Sequence, residues 1–394
     1  MDKLPLFVPE DINKYFYNRT EDLKKINFYL SSLNENISQR LLITGVRGVG
    51  KTYLLQKIVK DAPKNIVITY LDVSKVYGMY FGKLTSKNFL IELLENMNNS
   101  LKAKGEKYNT ITANLKNLIN NLKLNNYDFK DSNNLFGIPI PNADKDYKKL
   151  SKFVMELPQK IVEQNKDIDG FIIILDEFQL LDNLENPDAF FWLVRSFNLF
   201  QSNVSYVMSG SVSDTSKIIE MLNGSTGAFG GRMVQINIKP FSKKEVKSYI
   251  EERMPYLKFT DDGFNKFYKC TRGIPMHINS FCNVLTQDVV YDEKLINETF
   301  QINMDQILVM WIRVWGSLNK YEKEILKSLL PKDGRRWSEI LKTTTFSTKT
   351  LDKYLNTLQN KGILRYDGNN YSFADLMLKK YLEIEKKNNG VYPY

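Results

Sequence analysis

A glycine-rich turn between two apolar runs constrains the fold of this chain more than any other feature. The stretch LLITGVRGVGKTYLL, residues 41–55, fits the pattern G-x-x-x-x-G-K-[ST] at every position of its glycine turn. Residues 40–44 predict a buried strand, and residues 52–60 predict a helix with Leu54, Leu55 and Ile58 on one face. A strand, a glycine turn and a helix in this order predict a backbone cradle for phosphate groups.

The residue types of the turn indicate what the cradle would hold. Glycine permits backbone dihedrals that bring N–H groups against phosphate oxygens, and the following helix directs its positive end at the same anion. The Lys51 ammonium group would reach the β- and γ-phosphates of ATP, and the Thr52 hydroxyl would ligate Mg²⁺. We therefore expect the nucleotide to contact the turn and the first helical residues, which are Gly45, Val46, Arg47, Gly48, Val49, Gly50, Lys51, Thr52 and Tyr53.

A second apolar run ends in two neighbouring acids. Residues 170–176, GFIIILD, predict a strand buried on both faces, as in parallel sheets, and Asp176 and Glu177 stand at its end. Asp176 would hold Mg²⁺, and Glu177 would orient or activate the water that attacks the γ-phosphate. An acidic strand end that turns into a loop is the simpler alternative, and only its pairing with the glycine turn argues against it.

Two further runs predict strands, at 66–72 and at 204–208, and serines follow the second. Ligands of open parallel sheets lie beyond the carboxyl ends of the strands, so Ser209 or Ser211 could sense the γ-phosphate. The sequence does not choose between these two serines. Ordinary turn chemistry explains the same residues.

Composition narrows the class of protein. With 394 residues and 43% hydrophobic content, the chain can build two or three domains. It has no apolar run near the roughly 20 residues of a membrane span, and no export signal at its start. Cys270 and Cys282 are the only cysteines, so we expect a cytoplasmic protein without a disulfide framework or zinc site. The net charge of +10 favours anionic partners, although solvated lysines on every surface would give the same excess.

The pattern changes twice before the C-terminal part. Residues 96–150 are rich in Asn and Lys, and predict an elaboration with short helices around 111–124 and a loop. Beyond residue 240 the pattern becomes helical, at 243–254, 261–270 and 275–287, which suits a small lid over a nucleotide. Residues 309–315 would bridge the lid to a separate unit.

Residues 316–394 predict that separate unit. Three helices, the third capped by Ser347 and ended by Gly362, precede two short strands joined at Asp367-Gly368-Asn369, and a closing helix follows. This order is typical of a winged helix-turn-helix. The unit holds 15 Lys and Arg against 9 Asp and Glu, which favours double-stranded DNA as a partner. Protein docking is the alternative. The candidate DNA contacts lie on the third helix and the wing: Lys349, Lys353, Lys361 and Arg365.

The order of these motifs resembles the archaeal-type ATPases of the STAND class, which are relatives of the AAA+ proteins. The resemblance covers most of residues 10–390. It rests on the glycine turn together with YNRTEDLKKI at 17–26, IIILDEFQLL at 172–181, VMSGS at 207–211, GGRMVQINIKPFS at 230–242 and TRGIPMHI at 271–278.

The resemblance implies nucleotide contacts outside the turn. Asn18 and Arg19 match the family's N-terminal box near the nucleotide, and Arg232 matches an arginine that acts on the γ-phosphate from the same or a neighbouring subunit. Pro275 matches the lid proline near the base, in a Gly-x-Pro that stands where many AAA+ proteins carry an arginine. Plainer roles remain open: Asn18 or Thr20 as a helix cap, Arg232 as a solvated loop cation and Pro275 as a helix start.

The whole sequence predicts an α/β protein with three parts: a P-loop NTPase core with a parallel sheet at 1–240, a helical lid at 241–315 and a winged helix-turn-helix at 316–394. The favoured function is Mg²⁺-dependent ATP hydrolysis whose nucleotide state controls the winged helix on DNA. The alternatives are a signalling switch, in which ATP drives homo-oligomer formation and the winged helix docks a protein, and an ATP- or ADP-gated scaffold without catalysis. No membrane partner is expected, and His277, the single histidine, is expected only to pack.

Overall fold

A five-stranded parallel sheet forms the centre of the computed structural model. The structure describes residues 3–103, 147–211 and 216–393, apart from the side chain of Met310. The helices predicted around 111–124 lie outside these ranges. Strands β1 to β5 are Arg40–Thr44, Ile66–Asp72, Gly170–Asp176, Val204–Ser209 and Val234–Asn237. The first four are the strands that the apolar runs predict. The burial of β5 alternates, so its sequence signal is weaker.

The strand order brings the glycine turn and the two acids to the same edge. The sheet runs β2-β3-β4-β1-β5, with every neighbouring pair parallel. β3 is buried along its whole length, as a continuous apolar run predicts. β4 lies between β1 and β3, and its Ser209 is in register with Ile43 on one side and Asp176 on the other. One strand therefore separates the turn after β1 from the acids after β3.

Helices cover both faces of the sheet, and each face has its own apolar core. Helices α1 to α8 are Ile12–Tyr15, Thr20–Leu30, Lys51–Lys60, Val73–Met79, Ser86–Lys102, Tyr147–Gln164, Pro187–Asn198 and Lys217–Asn223. Short 3₁₀ turns at Ser31–Glu35 and Phe178–Asn183 join them. α5 runs unbroken through residue 96, because Met97 and Leu101 continue its buried face. The compositional change at residue 96 therefore falls inside a helix.

The predicted lid is helical. Helices α9 to α14 are Lys243–Arg253, Asp261–Thr271, Pro275–Cys282, Glu293–Ile302, Met304–Ile307 and Val309–Ser317, and strands β6 and β7, Lys258–Phe259 and Val290–Tyr291, form a short parallel pair. α11 is shorter than the predicted 275–287. It ends where Asn283 turns its side chain to the backbone of Leu4, through two hydrogen bonds of 2.8 Å.

The C-terminal residues have the predicted element order. Helices α15 to α17 are Lys320–Leu329, Trp337–Thr343 and Thr348–Asn360, strands β8 and β9 are Leu364–Tyr366 and Tyr371–Phe373, and α18 is Leu376–Asn389. Ser347 caps α17 by accepting from the Thr350 N–H, and Leu351, Leu355 and Leu358 form its buried stripe. The two strands pair antiparallel as a hairpin.

The lid and the C-terminal unit share one apolar core. Trp311 and Trp315 of α14 are each 1% exposed, and they belong to a cluster that extends from Phe281 in the lid to Leu355 in α17. The predicted boundary between 315 and 316 thus falls inside a helix that packs on both sides. In the described ranges, no helix is long and apolar enough to cross a membrane.

Candidate nucleotide-binding site

The glycine turn is held between the sheet and the lid. Gly48 has a φ of +79°, in the left-handed region that favours glycine. A Cβ on Gly48 would lie 2.9 Å from the Cβ of Met276, whose N–H donates to the Gly48 carbonyl at 3.2 Å. Glycine is required at this position because the first turn of α11 rests directly on the loop.

Lys51 is a buried cation held by neutral oxygens. Its Nζ donates to the carbonyls of Gly45 at 2.9 Å and Val46 at 3.2 Å, and to the Ser211 hydroxyl at 2.7 Å. Burial lowers the pKa of Lys51 to about 8, while the charges of Glu177 and Asp176 act in the opposite direction. An ammonium group in these surroundings gains from an anion, which the phosphates of a nucleotide would supply.

Thr52 and Asp176 meet where α3 begins and β3 ends. The Thr52 hydroxyl donates to Asp176 Oδ2 at 2.8 Å, and the Tyr70 hydroxyl donates to the same oxygen at 2.9 Å. Mg²⁺ usually takes one or two protein oxygens and completes its shell with phosphate and water oxygens, so this pair fits Mg²⁺ bound with ATP. The described residues contain no group of three or more His, Cys, Asp or Glu that could hold a metal ion.

Glu177 stands beyond Asp176 in a strained conformation. Its φ is +53°, which is uncommon for a residue with a side chain, and it lines the main cavity of the site. Its Oε2 accepts a hydrogen bond from the side-chain amide of Gln179. The two acids thus differ in environment: Asp176 is buried behind Thr52, and Glu177 reaches the cavity. Gln179 was not among the residues predicted for the site, although it stands only two residues after Glu177.

The structure brings Ser211, and not Ser209, to the cavity. The Ser211 hydroxyl bonds Lys51 and the residue lines the cavity. The Ser209 hydroxyl is buried at the end of β4, and it has no hydrogen-bond partner among the described residues. Ser211 is therefore the better placed of the two to sense the γ-phosphate.

Arg19, at the start of α2, hydrogen-bonds the backbone of the glycine turn. It donates to the Val49 carbonyl at 2.9 Å and to the Lys239 carbonyl at 2.7 Å, and its guanidinium lies 4.6 Å from the centre of the Phe241 ring. Burial lowers its pKa. Arg19 lines the cavity, whereas Asn18 donates to Glu245 in the first turn of α9. Neither Asn18 nor Thr20 caps α2, because Arg19 itself occupies the N-cap position in a left-handed conformation.

Arg232 lies at the opposite edge of the sheet. β5 begins at Val234, which is in register with Leu41 near the start of β1, so Arg232 precedes the amino ends of the strands. Its side chain is exposed and does not line the cavity. The structure does not bring Arg232 to the nucleotide site of its own chain. Action on a neighbouring subunit remains a prediction.

The site opens into a cavity of about 1020 Å³ between the glycine turn, the lid and the N-terminal residues. Cofactor sites commonly have about 300–1,000 Å³, so a nucleotide fits this space. Pro275, the first residue of α11, lines this cavity, and several aromatic side chains line it as well. Burial raises the pKa of Tyr53 to about 12, so its hydroxyl stays protonated. The aromatic residues that line the cavity are Phe7, Tyr15, Phe16, Tyr17, Tyr53, Tyr77, Phe241 and Tyr249.

The N-terminal segment is a part of the site that sequence reasoning missed. Pro5 and the residues up to Val8 line the cavity. Asn279 donates to the Pro5 carbonyl at 2.8 Å, and Asn283, one helical turn later, binds the backbone of Leu4. These contacts join residues almost 280 positions apart in the chain, so no local pattern indicates them.

The C-terminal unit supplies one wall of the same cavity. Thr357, Asn360 and Lys361, at the end of α17, line it together with residues of the core. The Asn360 side chain donates to Asp182 Oδ2 at 2.8 Å. Gly362 has a φ of +64°, and a Cβ there would lie 1.9 Å from the Ser211 carbonyl oxygen. The unit therefore touches the core beside the groups that surround Lys51.

The four candidate DNA contacts are not on one surface. Lys349, Lys353 and Arg365 are exposed, and Arg365 Nε donates to the Ser372 hydroxyl across the hairpin at 2.9 Å. Lys361 instead donates to Glu322 at 2.6 Å, and the Glu322 side chain is only 1% exposed. Since Lys361 compensates a buried carboxylate and faces the nucleotide cavity, the structure does not bring it to the other three. His277 is buried and accepts from the Trp311 indole at 3.3 Å, which agrees with a packing role.

One solved structure supports this architecture, and two others are more distant. The Walker-type ATPase PABY2304 of Pyrococcus abyssi is similar in structure with a TM-score of 0.60 and 17% identity, over 93% of this chain and 96% of that one. The ORC1 protein of Aeropyrum pernix, solved in complex with DNA, gives 0.48 and 12% over 98% and 97%. A STAND protein of Pyrococcus horikoshii with a tetratricopeptide repeat sensor gives 0.39 and 18% over 94% and 43%. The first likeness concerns the fold alone, and the other two are too distant to extend it.

The family comparison reaches further. No curated protein matches the chain. A family model described as an ATPase domain predominantly from Archaea matches residues 16–281, which include the glycine turn, both acids and Pro275. This match covers more than half of the chain. The chain belongs to this family of archaeal ATPase domains.

Proposed function

We propose that this chain binds ATP with Mg²⁺, hydrolyses it, and uses the nucleotide state to place a C-terminal winged helix on double-stranded DNA. Membership in the ATPase family supports the first part. The observation that carries the second is that the end of α17 forms a wall of the nucleotide cavity. A unit that lines the cavity can respond to what the cavity holds.

Each polar group of the site has a role in this proposal. Lys51 and the N–H groups of the glycine turn bind the phosphates, and Thr52 and Asp176 hold Mg²⁺, which neutralises charge on the phosphate oxygens. Glu177, oriented by Gln179, positions the attacking water and accepts its proton. The apolar lining excludes water around the base. Among the described residues, buried Lys51 donates only to neutral oxygens, and a lysine with a purely structural role would not need this arrangement.

The coupling runs through Ser211. Its hydroxyl accepts from Lys51, and its carbonyl oxygen lies against Gly362 of the C-terminal unit. A γ-phosphate that attracts Lys51 competes with Ser211 for the same ammonium group. The nucleotide thereby changes the contacts of the residue on which the C-terminal unit rests. The Asn360–Asp182 hydrogen bond is a second contact that must break if the unit swings away.

The test is DNA affinity as a function of nucleotide. Glu177→Gln protein should bind ATP and turn it over too slowly to deplete it, so its affinity for duplex DNA can be measured by fluorescence anisotropy with ATP, with ADP and with neither. The proposal expects affinities with ATP and ADP that differ by about fivefold or more, the usual lower range of coupling between two sites. A Lys51→Ala control should show no nucleotide effect. Equal affinities in all three conditions would refute the coupling.

The signalling switch is the second candidate, and one observation favours it. The end of α17 is packed against the core, where Asn360 donates to Asp182, and Lys361 donates to Glu322 in α15 of its own unit. Part of the proposed DNA helix is therefore engaged within the chain. In this alternative, ATP releases the unit to expose a surface for self-association or a protein partner. ATP-dependent dimerisation without DNA binding, measured by analytical ultracentrifugation, would support it.

A further inference from the structure

Three arginines from different elements meet at the amino edge of the sheet, away from the nucleotide cavity. Arg40 begins β1, Arg195 lies in the last turn of α7, and Arg232 precedes β5. Burial lowers the pKa of Arg40, and the positive charges of Arg232 and Arg195 lower it further. Within the described ranges, none of the three forms an ion pair with a carboxylate. The cluster therefore carries positive charge with which no described carboxylate forms an ion pair.

Two of these guanidinium groups are held in place. Arg40 donates through Nε to the Asn198 side chain and through Nη2 to the Asn198 carbonyl at 2.9 Å. The Arg195 guanidinium lies 4.7 Å from the centre of the Trp192 ring. A fixed, planar guanidinium loses little side-chain entropy when it binds a phosphate group.

Exposed apolar side chains stand beside the arginines. Trp192 is 45% exposed, Leu199 47% and Phe200 88%. Trp192, Arg195 and Leu199 follow each other at helical spacings of three and four residues, so they share one face at the end of α7. Phe200 continues this face into the loop, two residues after Asn198, whose carbonyl Arg40 binds.

We propose that this surface binds single-stranded nucleic acid. Its phosphates would pair with the arginines, and its bases would stack on Phe200 and Trp192. Neither ring lines the nucleotide cavity. A flat base suits a projecting ring, whereas the apolar side chains of an acidic helix need a groove. Duplex DNA conceals its bases. This site is separate from the winged helix and does not depend on the function proposed for it.

The test uses the full chain and a fluorescent oligothymidylate of about 16 nucleotides, the upper range for one binding module. Phe200→Ala should weaken binding by roughly five- to hundredfold, the range seen when a stacked ring is removed. Arg195→Ala should weaken it and reduce the log–log salt slope by about 0.7. Matched controls are Lys294→Ala and Ile302→Ala on the exposed side of α12, which should change affinity less than twofold.

If Phe200→Ala or Arg195→Ala folds poorly, a fluorescence measurement on the unmodified chain tests the proposal instead. Stacking on Trp192 should quench tryptophan fluorescence in the unmodified chain, and Trp192→Phe should remove that change while retaining binding. The proposal is overturned if the oligonucleotide does not bind. It is also overturned if Phe200→Ala and Arg195→Ala bind the oligonucleotide as tightly as the controls Lys294→Ala and Ile302→Ala. It is also overturned if polyglutamate of equal charge competes as well as oligothymidylate, because the surface would then recognise an acidic chain.

Discussion

Replacing Gly362 by alanine should separate the C-terminal unit from the ATPase core. A Cβ at this position would lie 1.9 Å from the Ser211 carbonyl oxygen. Close carbon–oxygen contacts are about 3.3 Å or longer, so the two backbones must move apart by about 1.4 Å. Gly368 is a matched control: its φ is +93°, also in the left-handed region, but nothing lies within 4 Å of its Cβ position.

Gly362→Ala and Gly368→Ala should differ in how much unfolding free energy they lose and in which part of the chain is affected. Both lose roughly 1–2 kcal/mol because alanine is strained in the left-handed region. Gly362→Ala should lose about 1–3 kcal/mol more, the usual cost of forcing atoms into a filled space. The strain lies between two units, so undocking relieves it at the expense of the Asn360–Asp182 bond.

Hydrogen exchange followed by mass spectrometry locates the response. Gly362→Ala should speed amide exchange at the end of α17 and in residues 204–211, whereas Gly368→Ala should affect only the hairpin. If Gly362→Ala left exchange in residues 204–211 unchanged and cost no more stability than Gly368→Ala, the contact between the unit and the core would not have the importance assigned to it.

Three further outcomes are expected from the nucleotide site. Lys51→Ala should nearly abolish ATP affinity in calorimetric titration. Because burial lowers the pKa of Lys51 to about 8, the affinity of the wild-type protein for ATP should fall about tenfold from pH 7 to pH 9. An affinity that does not change with pH would contradict the role of the Lys51 charge. Glu177→Gln should bind ATP but lose turnover by about 10² or more in a phosphate-release assay, and wild-type turnover would show that another group handles the water. Arg232→Lys should fail to restore the turnover that Arg232→Ala loses, because an ammonium group does not replace the guanidinium fork. If Arg232 acts on a neighbouring subunit, mixing Arg232→Ala with Lys51→Ala protein should recover turnover. No recovery after proven subunit exchange would argue against that action.

The parts of the fold that the sequence predicts are those with strong local signals. β3 is an uninterrupted apolar run, so its burial on both faces was predictable, and the helix after the glycine turn follows from its periodicity. The chemistry of Lys51 and Thr52 was predictable because the motif fixes their spacing on the loop and the first turn of α3.

Contacts between distant segments could not be predicted. The strand order places Arg232 at the amino edge, and nothing near residue 232 in the sequence gives the direction of β5 relative to β1. Lys361 has the charge and position of a DNA contact, yet Glu322, in another helix, accepts its hydrogen bond. The choice of Ser211 over Ser209 depends on where β4 stops and on where Lys51 extends.

ATP turnover with and without duplex DNA, at two protein concentrations, tests the central claim most directly. If nucleotide and DNA are coupled through the wall that α17 contributes to the cavity, DNA should change turnover per chain by about fivefold or more. The change should be the same at both concentrations, because the coupling lies within one chain. Turnover that ignores DNA but rises with protein concentration would contradict the claim, and would favour the self-associating switch.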